Sequence, residues 1–268
     1  MRIDLHIHTS RCGHAEGTVP AYVENAVLNR LDVVAFTDHL PLPGHLNEGG
    51  EYAMQAEELA EYVSDVRSVS HSLEPPPQIL LGIEADWLPE WRAETVRALA
   101  SHPFDVVLGS VHFLDGWVFD DPALIDEWEG KDVRAVWERY FAAVADAAAS
   151  GMFDVMAHVD LIKKFGHRPD TPATGLYEDL AAALADAGVA VEVSSAGLRK
   201  PCEEIYPGDE LLSALCRAGV PVTTGSDAHR PAEVGAGLAE VAEAVARAGY
   251  RTIVYFEQRE MREVELSW

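Results

Sequence analysis

The sequence predicts an α/β protein in which seven parallel strands, each followed by a helix, close into a distorted (β/α)7 TIM-like barrel. Short apolar runs alternate with stretches of helical periodicity along the chain, which is the order of βα units joined by right-handed crossovers. Several runs are apolar without interruption, as in strands covered on both faces. Nearly every run ends in polar residues, which favours a barrel mouth over the single switch point of an open doubly wound sheet, the alternative fold.

Length and composition fit one acidic domain over residues 1–268. The chain is 48% hydrophobic and carries a formal net charge of -25. A field of this sign repels nucleic acid and anionic membranes, so neither is an expected partner, and an anionic substrate needs a locally positive site. Three cysteines do not suggest a disulfide framework, and no apolar run is long enough to span a membrane. We therefore expect a cytoplasmic protein, whose oligomeric state the sequence does not predict.

Hydrophobic periodicity and turn residues predict the elements in order. The first are a strand at residues 2–8, a helix at 19–30, a strand at 31–36, a loop at 41–50, a helix at 59–73 that is ended by Pro75, Pro76 and Pro77, and a strand at 79–83. The next are helices at 90–100, 133–144, 175–187 and 210–217, alternating with strands at 104–109, 153–157, 189–193 and 220–224. The tail alternates at 251–256 and 261–266, which predicts an outer strand or hairpin extension at 251–268.

Potential metal ligands follow most of the predicted strands. His6 and His8 lie two residues apart on a strand and so share one face, with Asp4 beneath them. The other strand ends and their loops add residues of the same type: His14, Asp38, His39, Glu84, His112, His158, Asp227 and His229. So many imidazoles and carboxylates buried at one barrel mouth would be unstable without cations.

The number of ligands indicates more than one ion. A catalytic zinc uses about three protein ligands, so this set implies two or three metals. Glu84 is the natural carboxylate to bridge two of them. Closely spaced metals suit phosphoester hydrolysis, because together they stabilise the attacking and the leaving oxygen.

Short motifs around these ligands resemble those of the polymerase and histidinol phosphatase (PHP) superfamily, over nearly the whole chain. The motifs are His6-Ile7-His8-Thr9 with Cys12-Gly13-His14-Ala15-Glu16-Gly17, Thr37-Asp38-His39, Gly82-Ile83-Glu84, Gly109-Ser110-Val111-His112 and Ser226-Asp227-Ala228-His229. Two longer stretches, residues 110–120 and 196–200, resemble the stand-alone histidinol-phosphatase branch more specifically.

The resemblance implies a PHP-type barrel that holds three divalent ions, which could be zinc, iron or manganese. It assigns His6, His8, Glu84 and Asp227 to the first ion, Glu84, His112 and His158 to the second, and His14, His39 and His229 to the third. It also makes Arg199 a phosphate-binding residue.

The remaining substrate contacts are less defined by the sequence. Either Lys163 or Lys164 is a candidate for a second basic contact to the phosphate. Trp117 and Asp120, with Phe119, are candidates for walls around the imidazole and amine of the substrate. The alternative is that these residues form a hydrophobic plug with a capping carboxylate.

The function implied by the resemblance is hydrolysis of the small phosphomonoester L-histidinol phosphate to L-histidinol and phosphate in histidine biosynthesis. A hydroxide that bridges two metals would attack phosphorus while the metals and Arg199 neutralise the equatorial oxygens. Glu84 would bridge the metals, and Asp227 or a ligated water would protonate the leaving alkoxide. Two alternatives stay open here: a PHP-type phosphoesterase acting on a small nucleotide or other phosphomonoester, and a non-enzymatic barrel that its metals stabilise.

Overall fold

A computed structural model describes residues 1–69 and 77–266 and confirms the predicted barrel. Its strands are β1 (Ile3–Ile7), β2 (Val33–Phe36), β3 (Gln78–Asp86), β4 (Val106–Ser110), β5 (Phe113–Leu114), β6 (Trp117–Val118), β7 (Val155–Met156), β8 (Ala190–Ser194), β9 (Val222–Gly225), β10 (Thr252–Glu257) and β11 (Glu260–Glu265). A parallel sheet of seven strands has the order β1-β2-β3-β4-β7-β8-β9.

The α-helices of the described residues are α1 (Val19–Leu28), α2 (Leu59–Val69), α3 (Arg92–Leu99), α4 (Val133–Ala149), α5 (Thr174–Ala187), α6 (Asp209–Ala218) and α7 (Leu238–Ala248). Helices α1 to α6 lie between successive strands of this sheet, and α7 leads from β9 to the hairpin β10–β11. Two features were not predicted, namely α7 and the small antiparallel hairpin β5–β6. The end of the helix predicted at 59–73, with Pro75 and Pro76, lies outside the described residues. Across the described ranges, none of the helices has the length and apolar character needed to cross a lipid bilayer.

Apolar and polar side chains alternate along β1, so one face of the strand packs in the hydrophobic core and the other faces the barrel interior. Ile3, Leu5 and Ile7 are buried in the hydrophobic core. Because successive strand residues point to opposite faces, Asp4 and His6 face the interior, where both are also fully buried. The same strand therefore supplies the apolar packing that holds it in place and the polar groups inside the barrel.

The barrel closes at a seam between β1 and the segment that follows β9. Ile7 forms a single parallel bridge with Ala228. The buried carboxylate of Asp4 accepts hydrogen bonds from the main-chain N–H of Ser226 (2.8 Å), its hydroxyl (2.6 Å) and the N–H of Gly235 (2.8 Å). Side-chain hydrogen bonds thus replace much of the main-chain ladder at this position.

Three aspartates stabilise the N-terminal end of the barrel. Asp32, Asp105 and Asp154 precede β2, β4 and β7, and each carboxylate accepts a hydrogen bond from a main-chain N–H of the preceding strand in the sheet or the residue before it. The donors are Arg2 (2.7 Å), Leu81 (2.9 Å) and Val107 (2.8 Å), respectively. These carboxylates hold neighbouring strands in register.

The hairpin β10–β11 packs against the same end. Its turn residues Gln258 and Arg259 donate main-chain hydrogen bonds to the carboxylate (3.2 Å) and the carbonyl (2.8 Å) of Asp105, and the Arg259 side chain lies 2.9 Å from the Asp154 carboxylate. Ile253 of β10 is fully buried. The hairpin is therefore located opposite the C-terminal ends of the barrel strands.

Candidate metal centre

Glu84 lies at the middle of a cluster of imidazoles at the C-terminal mouth. The strand predicted at 79–83 extends to Asp86, so Glu84 is part of β3 and its side chain, 1% exposed, is fixed by the sheet. Its oxygens lie near ring nitrogens of His6 (3.1 Å), His158 (3.1 Å), His39 (3.2 Å), His8 (3.4 Å) and His112 (3.9 Å).

Asp227 and two further histidines extend this cluster on the side of β9. Asp227 Oδ1 is 3.2 Å from His8 Nε2 and 3.4 Å from His229 Nδ1. The Nε2 atoms of His229 and His14 are 2.8 Å apart. All nine residues that the sequence predicted as metal ligands are therefore brought together.

Two of these residues have an unusual backbone. His158 and Asp227 have φ values of 28° and 50°, in the left-handed region that side chains other than glycine rarely adopt. Such conformations cost about 1–3 kcal/mol each and concentrate at functional sites. The strain turns both side chains toward the same cluster as soon as their strands end.

Several ring nitrogens of the cluster lack hydrogen-bond partners within residues 1–69 and 77–266 and are better suited to bind metal ions. Both ring nitrogens of His8 and Nδ1 of His39 and His158 are buried, yet find no hydrogen-bond partner among the described residues. Carboxylate oxygens lie only 3.2 Å from His8 Nε2 and His39 Nδ1, but without hydrogen-bond geometry. Buried polar atoms are rarely left unpaired, and atoms that share an ion are close together in this way.

Several groups of ligand atoms are compact enough for an ion. Within each group the atoms lie within 4.8 Å of one another; the groups include His6, His8 and Asp227; His6, Glu84 and His158; and His14, His39 and His229. They resemble the three predicted ligand sets, although which residue binds which ion stays a prediction. Mixed imidazole and carboxylate donors suit zinc, iron or manganese.

The charges of the cluster also suit a cation. Burial would raise the pKa of Glu84, but His39 and His6 hold that pKa well below its ordinary value. Burial likewise opposes ionisation of Asp227, whose pKa His6 and His229 keep well below the usual range. Burial lowers the pKa of His39.

Against burial, Asp227 raises the pKa of His8 and Asp86 raises that of His112, each to about 10. Metal binds ionised carboxylates and neutral imidazoles, so a bound ion would displace the protons of His8 and His112.

Glu192 is a buried residue of the site to which the sequence analysis gave no role. Its Oε1 lies 2.8 Å from His6 Nδ1, and its Oε2 accepts a hydrogen bond of 3.0 Å from the main-chain N–H of His158. Gly225 makes room for it, because a Cβ there would lie 2.0 Å from Glu192 Oε1. The available signal was a single charge in the apolar run of residues 189–193.

Asp86 orients a second imidazole. Its Oδ1 lies 2.9 Å from His112 Nδ1 and accepts a hydrogen bond of 3.1 Å from the His112 main-chain N–H. A carboxylate on one ring nitrogen fixes the tautomer and leaves the other nitrogen free for a metal. Asp86 and Glu192 therefore act on His112 and His6 in the same way.

Two of the basic residues that the sequence predicted as candidate phosphate contacts, Arg199 and Lys164, have polar partners in the structure. Arg199 donates hydrogen bonds to the carbonyls of Ser226 (2.6 Å) and Asp227 (3.4 Å) and is partly exposed. Lys164 Nζ lies 2.9 Å from the Asp120 carboxylate. Although burial opposes it, Lys164 together with His112 and His158 lowers the pKa of Asp120, so this pair lies within electrostatic range of these imidazoles.

Lys163 has different surroundings from its neighbour Lys164. Its ammonium is buried and contacts Asp160 (2.7 Å), Glu204 (3.2 Å) and the carbonyl of Ile205 (2.7 Å). These groups occupy its three protons, and none of them is a predicted metal ligand. The structure does not bring Lys163 together with the cluster.

Trp117 packs in an aromatic group of its own. Its ring lies edge-on to Trp128 at 5.0 Å between centroids and to Phe119 at 6.2 Å, and Lys131 Nζ is 4.1 Å above it. These contacts are typical of the hydrophobic plug that was the alternative interpretation. Its role in substrate binding stays a prediction.

Comparison with known proteins agrees with this architecture. The sequence model of the PHP domain family matches residues 4–196, and that of a PHP-associated family matches residues 211–248. The first match includes six of the seven histidines of the cluster together with Glu84.

Individual relatives cover nearly all of the chain. It is 37% identical to a protein of Deinococcus radiodurans named probable histidinol-phosphatase, over 97% of this chain and 98% of the relative. It is 27% identical to the histidinol-phosphatase of Bacillus subtilis, over 87% and 95%. Its fold matches a crystal structure of histidinol phosphate phosphatase from Lactococcus lactis, complexed with zinc, L-histidinol and phosphate, with a TM-score of 0.82 and 20% identity over 97% and 98%. The chain belongs to the PHP domain family, in its histidinol-phosphatase branch.

Proposed function

We propose that this protein is a metal-dependent phosphomonoesterase that hydrolyses L-histidinol phosphate to L-histidinol and phosphate, as a cytoplasmic enzyme of histidine biosynthesis. The observation that carries the chemistry is Glu84, a buried carboxylate with five imidazoles around it. The choice of substrate is supported by the likeness to histidinol-phosphatases over nearly the full chain.

The proposal includes three divalent ions, held by the three predicted ligand sets. Glu84 belongs to two of these sets and would be shared between two ions. Bound ions of this kind lower the pKa of water and stabilise negative charge on phosphoryl oxygens. Within the sets, the carboxylates of Glu84 and Asp227 provide the negative charge that balances the cations. Although burial opposes it, His6 and His229 hold the pKa of Asp227 well below its usual range, which supports its role as a metal ligand; the proton for the leaving alkoxide would come from Asp227 or from a ligated water.

In this proposal Arg199 binds the phosphate of the substrate. Its hydrogen bond to the Ser226 carbonyl fixes the guanidinium beside the main chain of Asp227. The remaining N–H groups can donate to phosphate oxygens, and a planar guanidinium can do so through two parallel bonds. Lys164 adds a second positive charge, whose orientation Asp120 controls.

The two adjacent lysines provide a test of this arrangement. We expect Lys164→Ala to raise KM for histidinol phosphate about tenfold, because a hydrogen bond to a charged group contributes about 1.5–3 kcal/mol. Lys163→Met is the matched control, since its ammonium is held by Asp160 and Glu204. It should lower the stability with little effect on KM, and the opposite pattern would assign the phosphate to Lys163.

The substrate assignment is tested by phosphate release from L-histidinol phosphate, an aryl phosphate and a nucleoside bisphosphate, with protein loaded with manganese, zinc or iron. We expect kcat/KM for histidinol phosphate of about 10⁴ M⁻¹s⁻¹ or more and values lower by orders of magnitude for the others. Comparably slow hydrolysis of all three would leave only the phosphoesterase chemistry. A preference for the nucleotide would establish the alternative activity.

A further inference from the structure

The turn that follows β1 is rigid and directs a cysteine toward the metal centre. Asp38 accepts hydrogen bonds from the main-chain N–H (2.5 Å) and the hydroxyl (2.6 Å) of Thr9. The N–H of Cys12 then donates to the carbonyl of Thr9 at 3.1 Å. Gly13 ends the turn with φ of 89°, and a Cβ there would lie 2.0 Å from the carbonyl oxygen of Gly50. The position of Cys12 is therefore fixed from both sides.

Cys12 is buried among the imidazoles. It is a free thiol with 0% exposure. Its sulfur and ring nitrogens of His8 and His229 all lie within 4.8 Å of one another. His8 is itself fully buried, and neither of its ring nitrogens has a hydrogen-bond partner in the described part of the chain. An unpaired buried nitrogen beside a buried sulfur is a second sign that a ligand belongs between them.

We propose that the thiolate of Cys12 is a tenth metal ligand, which binds the ion held by His229 and makes that position selective for zinc over manganese. The thiol loses its proton to solvent when the sulfur–metal bond forms, so no oxidant or reductant is needed. The inference rests on the proposed metal centre but not on the identity of the substrate.

The chemistry of sulfur gives the direction of this selectivity. Thiolates favour zinc, whereas manganese prefers oxygen ligands. A tetrahedral zinc with one sulfur and one imidazole ligand, at about 2.3 and 2.05 Å, separates the two ligand atoms by about 3.5 Å. This separation is within the 4.8 Å that encloses the group, so binding requires little movement of Cys12.

The first test uses a variant in which Cys12 is the remaining thiol, Cys202→Ser with Cys216→Ser, titrated with cobalt(II) alone. Cobalt replaces zinc and gives a near-ultraviolet sulfur-to-metal charge-transfer band only when a thiolate is bound. We expect this band, with cobalt counted by native mass spectrometry. Full cobalt loading without the band would overturn the role of Cys12 and leave the imidazole centre intact. Failure to bind cobalt at all would overturn both.

The second test adds Cys12→Ser to the variant with Cys202→Ser and Cys216→Ser and compares the two proteins. We expect the sulfur band to disappear while the visible cobalt bands remain. Zinc affinity, measured by competition with a chelator, should fall at least about tenfold, the lower limit found even for residues that only support metal ligands. Manganese affinity should stay the same. Equal losses for zinc and manganese, or a band that persists in Cys12→Ser, would contradict the proposal, and Cys12→Ala replaces the serine variant if it does not fold.

Discussion

The two ends of the barrel pair their carboxylates in opposite ways. At the N-terminal end, Asp32, Asp105 and Asp154 each accept a hydrogen bond from a main-chain N–H at 2.7–2.9 Å. At the mouth, Glu84 and Asp227 meet imidazoles, several of whose nitrogens have no hydrogen-bond partner among the described residues. Carboxylates with fixed donors stabilise the fold, whereas those facing unpaired nitrogens are available for a ligand. Barrel enzymes divide stability and chemistry between the two ends in this way.

The largest effect that this comparison predicts is the loss of activity in Glu84→Gln. The amide keeps the volume but lacks the negative charge that two ions would share, and metal ions contribute several kcal/mol to transition-state stabilisation. We expect kcat to fall about a thousandfold, with a lower metal content by elemental analysis. Full activity with full metal content would show that Glu84 is not a ligand of the metal centre.

A smaller effect is expected for Glu192→Gln, which changes a residue one step removed from the ions. Glutamine can still pair with the main chain of His158 but no longer provides a carboxylate for His6. Loss of such supporting residues lowers metal affinity or activity about 10–100-fold. Metal affinity and the pH profile of kcat should both change, while Glu192→Asp recovers part of the loss. A change in stability alone would make Glu192 a purely structural residue.

At the opposite end, Asp105→Ala should separate stability from activity. The variant leaves the N–H of Leu81 without its carboxylate acceptor and removes one of the two hydrogen bonds that join Asp105 to the turn of the C-terminal hairpin. We expect the free energy of unfolding to fall by about 1–3 kcal/mol, measured by urea denaturation. The metal-loaded enzyme should keep its kcat at a temperature where it is folded. A large loss of kcat would break the comparison, because it would connect the N-terminal end to the chemistry.

The smallest effect concerns Asp154 and pH. Burial raises the pKa of Asp154 above 3.8, although Arg259 partly opposes this. A carboxyl whose pKa is higher in the folded chain adds stability below its unfolded pKa, and this stability is lost as the pH rises through the folded value. The unfolding free energy of the wild type minus that of Asp154→Asn should therefore decrease as the pH rises from the unfolded pKa of Asp154 to its folded pKa. An increase would mean that the ion pair with Arg259 outweighs burial.

Residues at strand ends were predictable because their signal is local. A short apolar run followed by a histidine or carboxylate locates both the strand and its mouth residue, so the order of the sheet and the ligand cluster followed from the sequence. The periodicity of α7, in Leu238, Val241, Ala242 and Val245, offered an equally local signal that was missed. The hairpin β5–β6 has strands of two residues each, too short for any period to be visible.

Contacts across the barrel were not predictable from the sequence. The pairing of Glu192 with His6 joins residues 186 positions apart, and only the closed sheet brings them together. Lys163 and Lys164 looked equivalent as candidates, but neighbouring residues in a turn point in different directions. Lys163 contacts Asp160 in a buried ion pair, and Lys164 contacts Asp120.

The seam between β1 and the segment after β9 determines when the centre can form during synthesis. Asp4 bonds to Ser226, 222 positions away in the chain. The predicted ligands on one side of the seam are His6 in β1 and His8 just after it, and those on the other side are Asp227 and His229 in the segment after β9. Contacts of such high sequence separation form late in folding. A nascent chain on the ribosome presents two histidines early, but it cannot complete the proposed ligand sets that include Asp227 or His229 until residue 229 has emerged. Loading of the two ions that these sets hold would therefore follow translation of almost the whole chain.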